Sequence, residues 1–174
     1  MVSWRVACLF FLVSMPITMA WGFKMTERDL PYPAADASFV SQGKEITLTA
    51  YKGHKVMLWL FSTWCHTCAA GVKALTANQA IWERNDLVIL AIKNHKNGGY
   101  PGPTIEAFVK RFGGDIAKTE NWMLGEATQQ MDMAYNRRKF PDIYFLIDEQ
   151  GIVRQVGTAP AIALDRIRQF STGL

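Results

Sequence analysis

Val56-Met57-Leu58-Trp59-Leu60-Phe61-Ser62-Thr63-Trp64-Cys65-His66-Thr67-Cys68 is the stretch on which the fold turns. The unbroken apolar run Val56–Phe61 predicts a strand covered on both faces. From Cys68 to Arg84 the apolar residues Val72, Leu75, Ala80 and Ile81 recur at helical spacing. The two thiols therefore fall where a buried strand gives way to a helix. Unpaired N–H groups and the dipole favour an anion at a helix start, so a thiolate at Cys65 is stabilised there. Cys65 reads as the attacking thiol and Cys68, one turn further in, as the resolving one.

Other uses of the pair fit less well. A structural zinc site needs four ligands, and besides these cysteines the chain offers only His54, His66 and His95, without ligand spacing. Covalent haem needs CxxCH, and position 69 is alanine. A disulfide closing so short a loop removes little entropy from the unfolded chain and makes a poor staple. No cofactor and no resident metal are expected. The alternative from another class is a copper-binding metallochaperone, because soft thiolates select Cu(I), although no third ligand stands near the motif. A third reading makes the domain a surface for assembly, with its cysteines idle.

Working outward, Ile46–Thr49 alternates as a half-buried strand, and Leu87–Ile92 is a second buried strand. Lys93–Pro103 is polar and rich in Gly and Pro, a loop. Thr104 N-caps a helix with Ile105, Phe108, Val109 and Phe112 on one face, ending at Gly113-Gly114. Trp122–Leu124 reads as a short strand and Ala127–Arg138 as a helix. Ile143–Ile147, the turn Asp148–Gly151 and Ile152–Val156 form a β-hairpin. Pro160 opens a last helix carrying Ile162, Ile167 and Phe170. This order predicts an α/β fold with a central mixed β-sheet flanked by helices.

The chain has 174 residues, 49% of them hydrophobic, and a net charge of +4. That suffices for one domain with a real core. No basic stripe with interleaved aromatics suggests nucleic acid. Arg137-Arg138-Lys139 is the densest basic run and reads as a solvated helix end. Residues 1–20 have the layout of a signal peptide: Arg5, an apolar run from Val6, then Thr18-Met19-Ala20. The competing reading is an uncleaved membrane anchor over residues 4–23. Either places the rest of the chain outside the cytoplasm, in a periplasmic setting where disulfide chemistry is permitted. Residues 21–37 are expected to be irregular, and 38–174 to form the domain. Cys8 lies in the leader.

Three segments, in order, resemble the thioredoxin superfamily and most closely its secreted TlpA/ResA-like branch. They are Gly43–Leu48 with Tyr51-Lys52-Gly53, then Phe61–Cys68, then Phe140–Asp148 with Gly151. The resemblance implies a thioredoxin fold and an extracytoplasmic thiol–disulfide oxidoreductase. Its substrates would be cysteine-containing proteins, in cytochrome c maturation or envelope disulfide handling, with a membrane redox partner. It also implies that Pro141 is cis beside the CxxC, leaving the backbone of Phe140 open to pair with an extended substrate chain. Trp64, flanking the motif, is expected to be part of the substrate platform.

Two positions depart from the pattern. Many members of the branch carry a glutamate three residues after the second cysteine, and thioredoxin has a buried aspartate in the preceding strand. Here these positions are Gly71 and Trp59. Glu45, Asp142 or a water remains to serve Cys68. His66, between the thiols, can stabilise the Cys65 thiolate, which predicts a couple more oxidising than thioredoxin. Trp59 reads as core, and Met123, Met131 and Met133 as core gap-fillers rather than copper ligands.

Overall fold

The structure is a computed structural model that describes residues 29–173, so the expected leader lies outside the described residues. Strands β1 (Tyr32–Pro33), β2 (Ser38–Ser41) and β3 (Lys44–Thr47) lead into β4 (Lys55–Phe61). Helices α1 (His66–Ala77) and α2 (Gln79–Arg84) follow, then β5 (Leu87–Lys93), α3 (Ile105–Gly113), β6 (Trp122–Ala127) and α4 (Gln129–Tyr135). The hairpin β7 (Asp142–Ile147) and β8 (Ile152–Gly157) and helix α5 (Leu164–Thr172) complete the domain. The strands form one mixed sheet in the order β1-β8-β7-β4-β5-β6-β2-β3. Strand β5 runs parallel to β4 and β6, while β7 pairs antiparallel with β4.

Strand β4 is apolar throughout because it sits at the centre and feeds two cores. Met57, Trp59 and Phe61 point to the side of α1, α3 and α5, with Val72, Leu75, Val109 and Ile167. Leu58 and Leu60 point to the other side, with Phe39, Met131, Tyr135 and Phe145. Period-two alternation within a continuous apolar run thus serves both faces. Trp59 and Phe61 stack with ring centroids 4.4 Å apart. Of the methionines read as core, Met131 is fully buried, but Met133 is 55% exposed on the solvent side of α4 and does not fill the core.

Three local expectations are corrected. The helix read over Cys68–Arg84 breaks at Asn78 (φ −109°, ψ 15°), whose amide donates to the Ala74 carbonyl at 2.8 Å. Side-chain bonding of this kind competes with the helical ladder. The segment expected to be irregular holds β1, paired antiparallel with Ile152 and Val153; proline is tolerated at a sheet edge, where one side of the ladder is free. The helix expected over Ala127–Arg138 is shorter: Ala127 ends β6, Thr128 caps α4 by accepting from the Met131 amide, and the helix stops at Tyr135. Lys139 beyond it pairs with the buried Asp132. Among the described residues no helix is long and apolar enough to cross a membrane.

Candidate active site

The carboxyl end of β4 delivers the site. Beyond Phe61 the chain turns through Ser62, whose amide donates to the Pro141 carbonyl at 2.9 Å and whose carbonyl accepts from Cys65 at 3.1 Å. Cys65 is then the N-cap of α1, with extended backbone. Both thiols are free. Cys65 keeps 7% of its surface exposed and Cys68 none. Their sulfurs and one carboxylate oxygen of Asp142 all lie within 4.8 Å of one another. The Cys65 sulfur lies 3.0 Å from the Thr67 hydroxyl, and the Cys68 thiol donates to the Pro141 carbonyl at 3.3 Å. Burial, then the nearby Asp142 carboxylate and Cys65, push the Cys68 thiol far above the ordinary thiol range. One thiol is reachable and the other is shielded and holds its proton.

Of the carboxylates the sequence offers beside Cys68, the fold brings Asp142 to the thiols. It stands opposite Phe61 on β7 and faces the helix α1 side of the sheet. Its Oδ1 accepts from the Trp59 indole N–H at 2.8 Å, while its buried Oδ2 has no hydrogen-bond partner within ordinary range. Desolvation raises its pKa; Trp59, the Thr67 hydroxyl and the Ala159 amide work against that by favouring the charged form. Glu45 is elsewhere: it lies on β3 at the far edge of the sheet, where it accepts from Ser38 at 2.5 Å.

The two departures at positions 59 and 71 are one arrangement. A Cβ placed on Gly71 would meet the Trp59 ring at 2.8 Å and 2.9 Å. The indole fills the space a side chain at 71 would need and points its N–H at Asp142. The buried carboxylate stands on the neighbouring strand β7, and the indole of Trp59 donates to it.

The other expected residues fall around this centre. Trp64 is 39% exposed beside Cys65, fixed by donation from its indole to the Asn97 carbonyl at 2.8 Å and by edge contact with Tyr100 at 5.1 Å. His66 is exposed and lines a groove beside Cys65. Phe140 is 38% exposed. Pro141 reaches the site through its carbonyl, but two expectations attached to it fail. Among the described residues the cis peptide is Leu30–Pro31, and the bond before Pro141 is trans. The backbone of Phe140 is also not open. Its N–H donates to Asn136 Oδ1 at 2.8 Å, and its carbonyl accepts from Asn136 at 2.8 Å and Asn94 at 3.2 Å. Asn136, at the C-cap of α4, grips both sides of that residue.

Sequence reasoning missed Thr67, Asn94, Asn97 and Asn136. Asn94 and Asn136 are each 2% exposed and bonded to one another at 2.9 Å. Asn97 accepts from the Thr63 amide at 2.9 Å from a left-handed conformation, φ 54°, that asparagine tolerates better than most residues. The Asn97-Gly98-Gly99-Tyr100 run is the signal available, and in sequence it marks a partner-selecting loop rather than a support for Thr63 and Trp64.

A family model described as AhpC/TSA matches residues 29–156. The chain belongs to the AhpC/TSA family. A curated relative, the thiol-disulfide oxidoreductase ResA of Geobacillus kaustophilus, is 31% identical over 117 residues. That match takes in 67% of this chain and 62% of the relative, so the chain spans less than two thirds of the protein it matches. Among solved structures, a thiol:disulfide interchange protein of the thioredoxin family from Chlorobium tepidum superposes with a TM-score of 0.61 at 23% identity, covering 81% of this chain and 96% of the other. A secreted disulfide oxidoreductase from Mycobacterium tuberculosis does so with 0.57 at 16%, covering 81% and 96%. The fold is the thioredoxin fold.

Proposed function

We propose that this chain is an extracytoplasmic thiol–disulfide oxidoreductase acting on cysteine-containing proteins. The observation that carries the reading is the asymmetry of the pair: Cys65 at the surface end of α1, Cys68 buried beside a carboxylate. In the reductive direction the Cys65 thiolate attacks a substrate disulfide, forms a mixed disulfide and expels one substrate thiolate, which takes a proton. Cys68 passes its proton to Asp142, and its sulfur attacks the Cys65 sulfur. The Cys65–Cys68 disulfide forms and the second substrate thiolate leaves. Two electrons have moved to the substrate; the reverse sequence oxidises one. Thr67, between Cys65 and Asp142, steadies the Cys65 sulfur.

The signal-peptide-like layout of residues 1–20 and the secreted oxidoreductase among the solved structures support an envelope setting, with cytochrome c maturation or envelope disulfide handling as the role. Reductive turnover then draws electrons from a membrane partner. The copper reading is weaker, because the third group beside the thiols is a carboxylate, a hard donor that suits Cu(I) poorly. A Cys68→Ser variant expressed in its native compartment tests the proposal. It should retain substrates as mixed disulfides on Cys65, released by dithiothreitol. Recovering none, while the Cys65 thiol remains alkylatable, would count against it.

A further inference from the structure

We propose that substrates dock in the groove between the start of α1 and helix α3, and that its occupant is an acidic, cysteine-bearing segment of the partner protein. This rests on the oxidoreductase reading and names the substrate class it serves.

The groove runs from Cys65 past Trp64, His66 and Ala69 to Arg111 and Phe112. Its floor is aromatic: Phe112 is partly exposed and packs edge-on against the buried Phe108 at 4.9 Å. Arg111 is the charged side chain that lines it, and Lys73 stands beside Phe112 at its edge. Arg111 on α3 and Lys73 on α1 lie 5.3 Å and 5.4 Å from the Phe112 ring centroid, flanking it from two helices. Helix α1 carries no acidic residue. Among the described residues no ion pair joins Arg111 or Lys73 to a carboxylate, whereas the adjacent Lys110 is engaged by Asp115. Both cations are exposed. Two unpaired cations over an aromatic surface fit a segment that combines carboxylates with apolar side chains.

The opposite flank of Cys65 points the same way. Main-chain pairing at Phe140 is closed by Asn94 and Asn136, so recognition there is limited to the Phe140 side chain. Among the described residues, the α1–α3 groove is a concave surface that reaches the nucleophile.

The test uses the reduced full-length chain and two oxidised synthetic peptides of equal apolar content, one with glutamates and one with lysines flanking the cysteines. At low salt the acidic peptide should be reduced roughly tenfold faster, and the advantage should shrink to under about twofold near 0.5 M salt. The double variant Lys73→Glu/Arg111→Glu should reverse the preference. The rate of each protein toward neutral hydroxyethyl disulfide, used to normalise its peptide rates, separates the groove from the chemistry. Equal peptide rates, or a preference that survives the charge reversal, would overturn the groove assignment while leaving the oxidoreductase reading intact. A Cys65 inert toward hydroxyethyl disulfide would remove both.

Discussion

The indole N–H of Trp59 donates to Asp142 Oδ1 at 2.8 Å, joining β4 to β7 directly beneath the two thiols. Both groups are buried, Trp59 completely and Asp142 to 5% exposure. The other carboxylate oxygen is buried and makes no close hydrogen bond, so it is the atom at which Asp142 can take a proton. Asp142→Asn should therefore slow the resolving step, and general acid–base groups typically contribute about 10²-fold or more. Rapid-quench measurement of the mixed disulfide should show it accumulating in the variant. Loss of the Asp142 charge also removes one of the influences that raise the Cys68 pKa, which by itself would speed resolution. The two expectations oppose each other, so a faster resolving step would show that Asp142 acts only as a repelling charge. Trp59→Phe, keeping most of the ring but not the donor, should move the rate in the same direction as Asp142→Asn by a smaller factor.

Gly71 exists for the same arrangement. Adding a methyl there forces atoms to within 2.8 Å of the fully buried Trp59 ring, which stacks on Phe61 and has little room to yield. Overpacking of this kind costs about 1–3 kcal/mol. Gly71→Ala should lower the urea midpoint accordingly despite alanine's better helix propensity, worth about 1 kcal/mol in the opposite sense. A stabilised Gly71→Ala would mean that the indole has somewhere else to go. In the double variant Trp59→Phe/Gly71→Ala part of the loss should be recovered, because the clash is with the outer ring atoms of tryptophan.

Most of the fold was legible because β4, β5 and β7 are continuous apolar runs, and such runs announce central strands whatever surrounds them. The CxxC was legible because strand and helix periods meet on either side of it. The carboxylate was harder to place. Asp142 looks like an ordinary strand-start residue, and only the pairing of Phe61 with Asp142 puts it on the α1 side. The closed edge at Phe140 was hidden for a related reason. Asn94 and Asn136 are separated by 42 positions, and each alone reads as a loop polar residue. Polar networks assembled from distant residues leave no period in a sequence.

The raised pKa of Asp142 has a definite consequence for stability. Its ordinary value is 3.8, and burial moves it upward in the folded state. Below the ordinary value both states are protonated and nothing is lost. As pH rises past it, the unfolded chain releases the proton while the folded chain keeps it, so stability falls until the folded group ionises as well. The reduced protein should lose stability relative to Asp142→Asn as pH rises above about 4, until the folded carboxyl ionises, the sign opposite to that of an ion-paired carboxylate. Urea midpoints of the two proteins across that range give the comparison directly. A difference that stays flat would mean the folded group titrates at its ordinary value.

His66 was expected to poise the couple, but its setting makes it a weak lever. The ring is exposed, and the partner found within hydrogen-bonding distance of the Cys65 sulfur is the Thr67 hydroxyl at 3.0 Å. A charge in water beside a sulfur is screened, so its effect on the reduced state is small. His66→Ala should shift the reduction potential by less than about 30 mV, which corresponds to about 1.4 kcal/mol for this two-electron couple. Thr67→Val removes the hydroxyl from the Cys65 sulfur and from the vicinity of Asp142 together, and should shift the potential further than His66→Ala does. Equilibration of each variant with glutathione buffers measures both. A larger change at His66 than at Thr67 would return control of the thiolate to the imidazole and remove the hydroxyl from the mechanism.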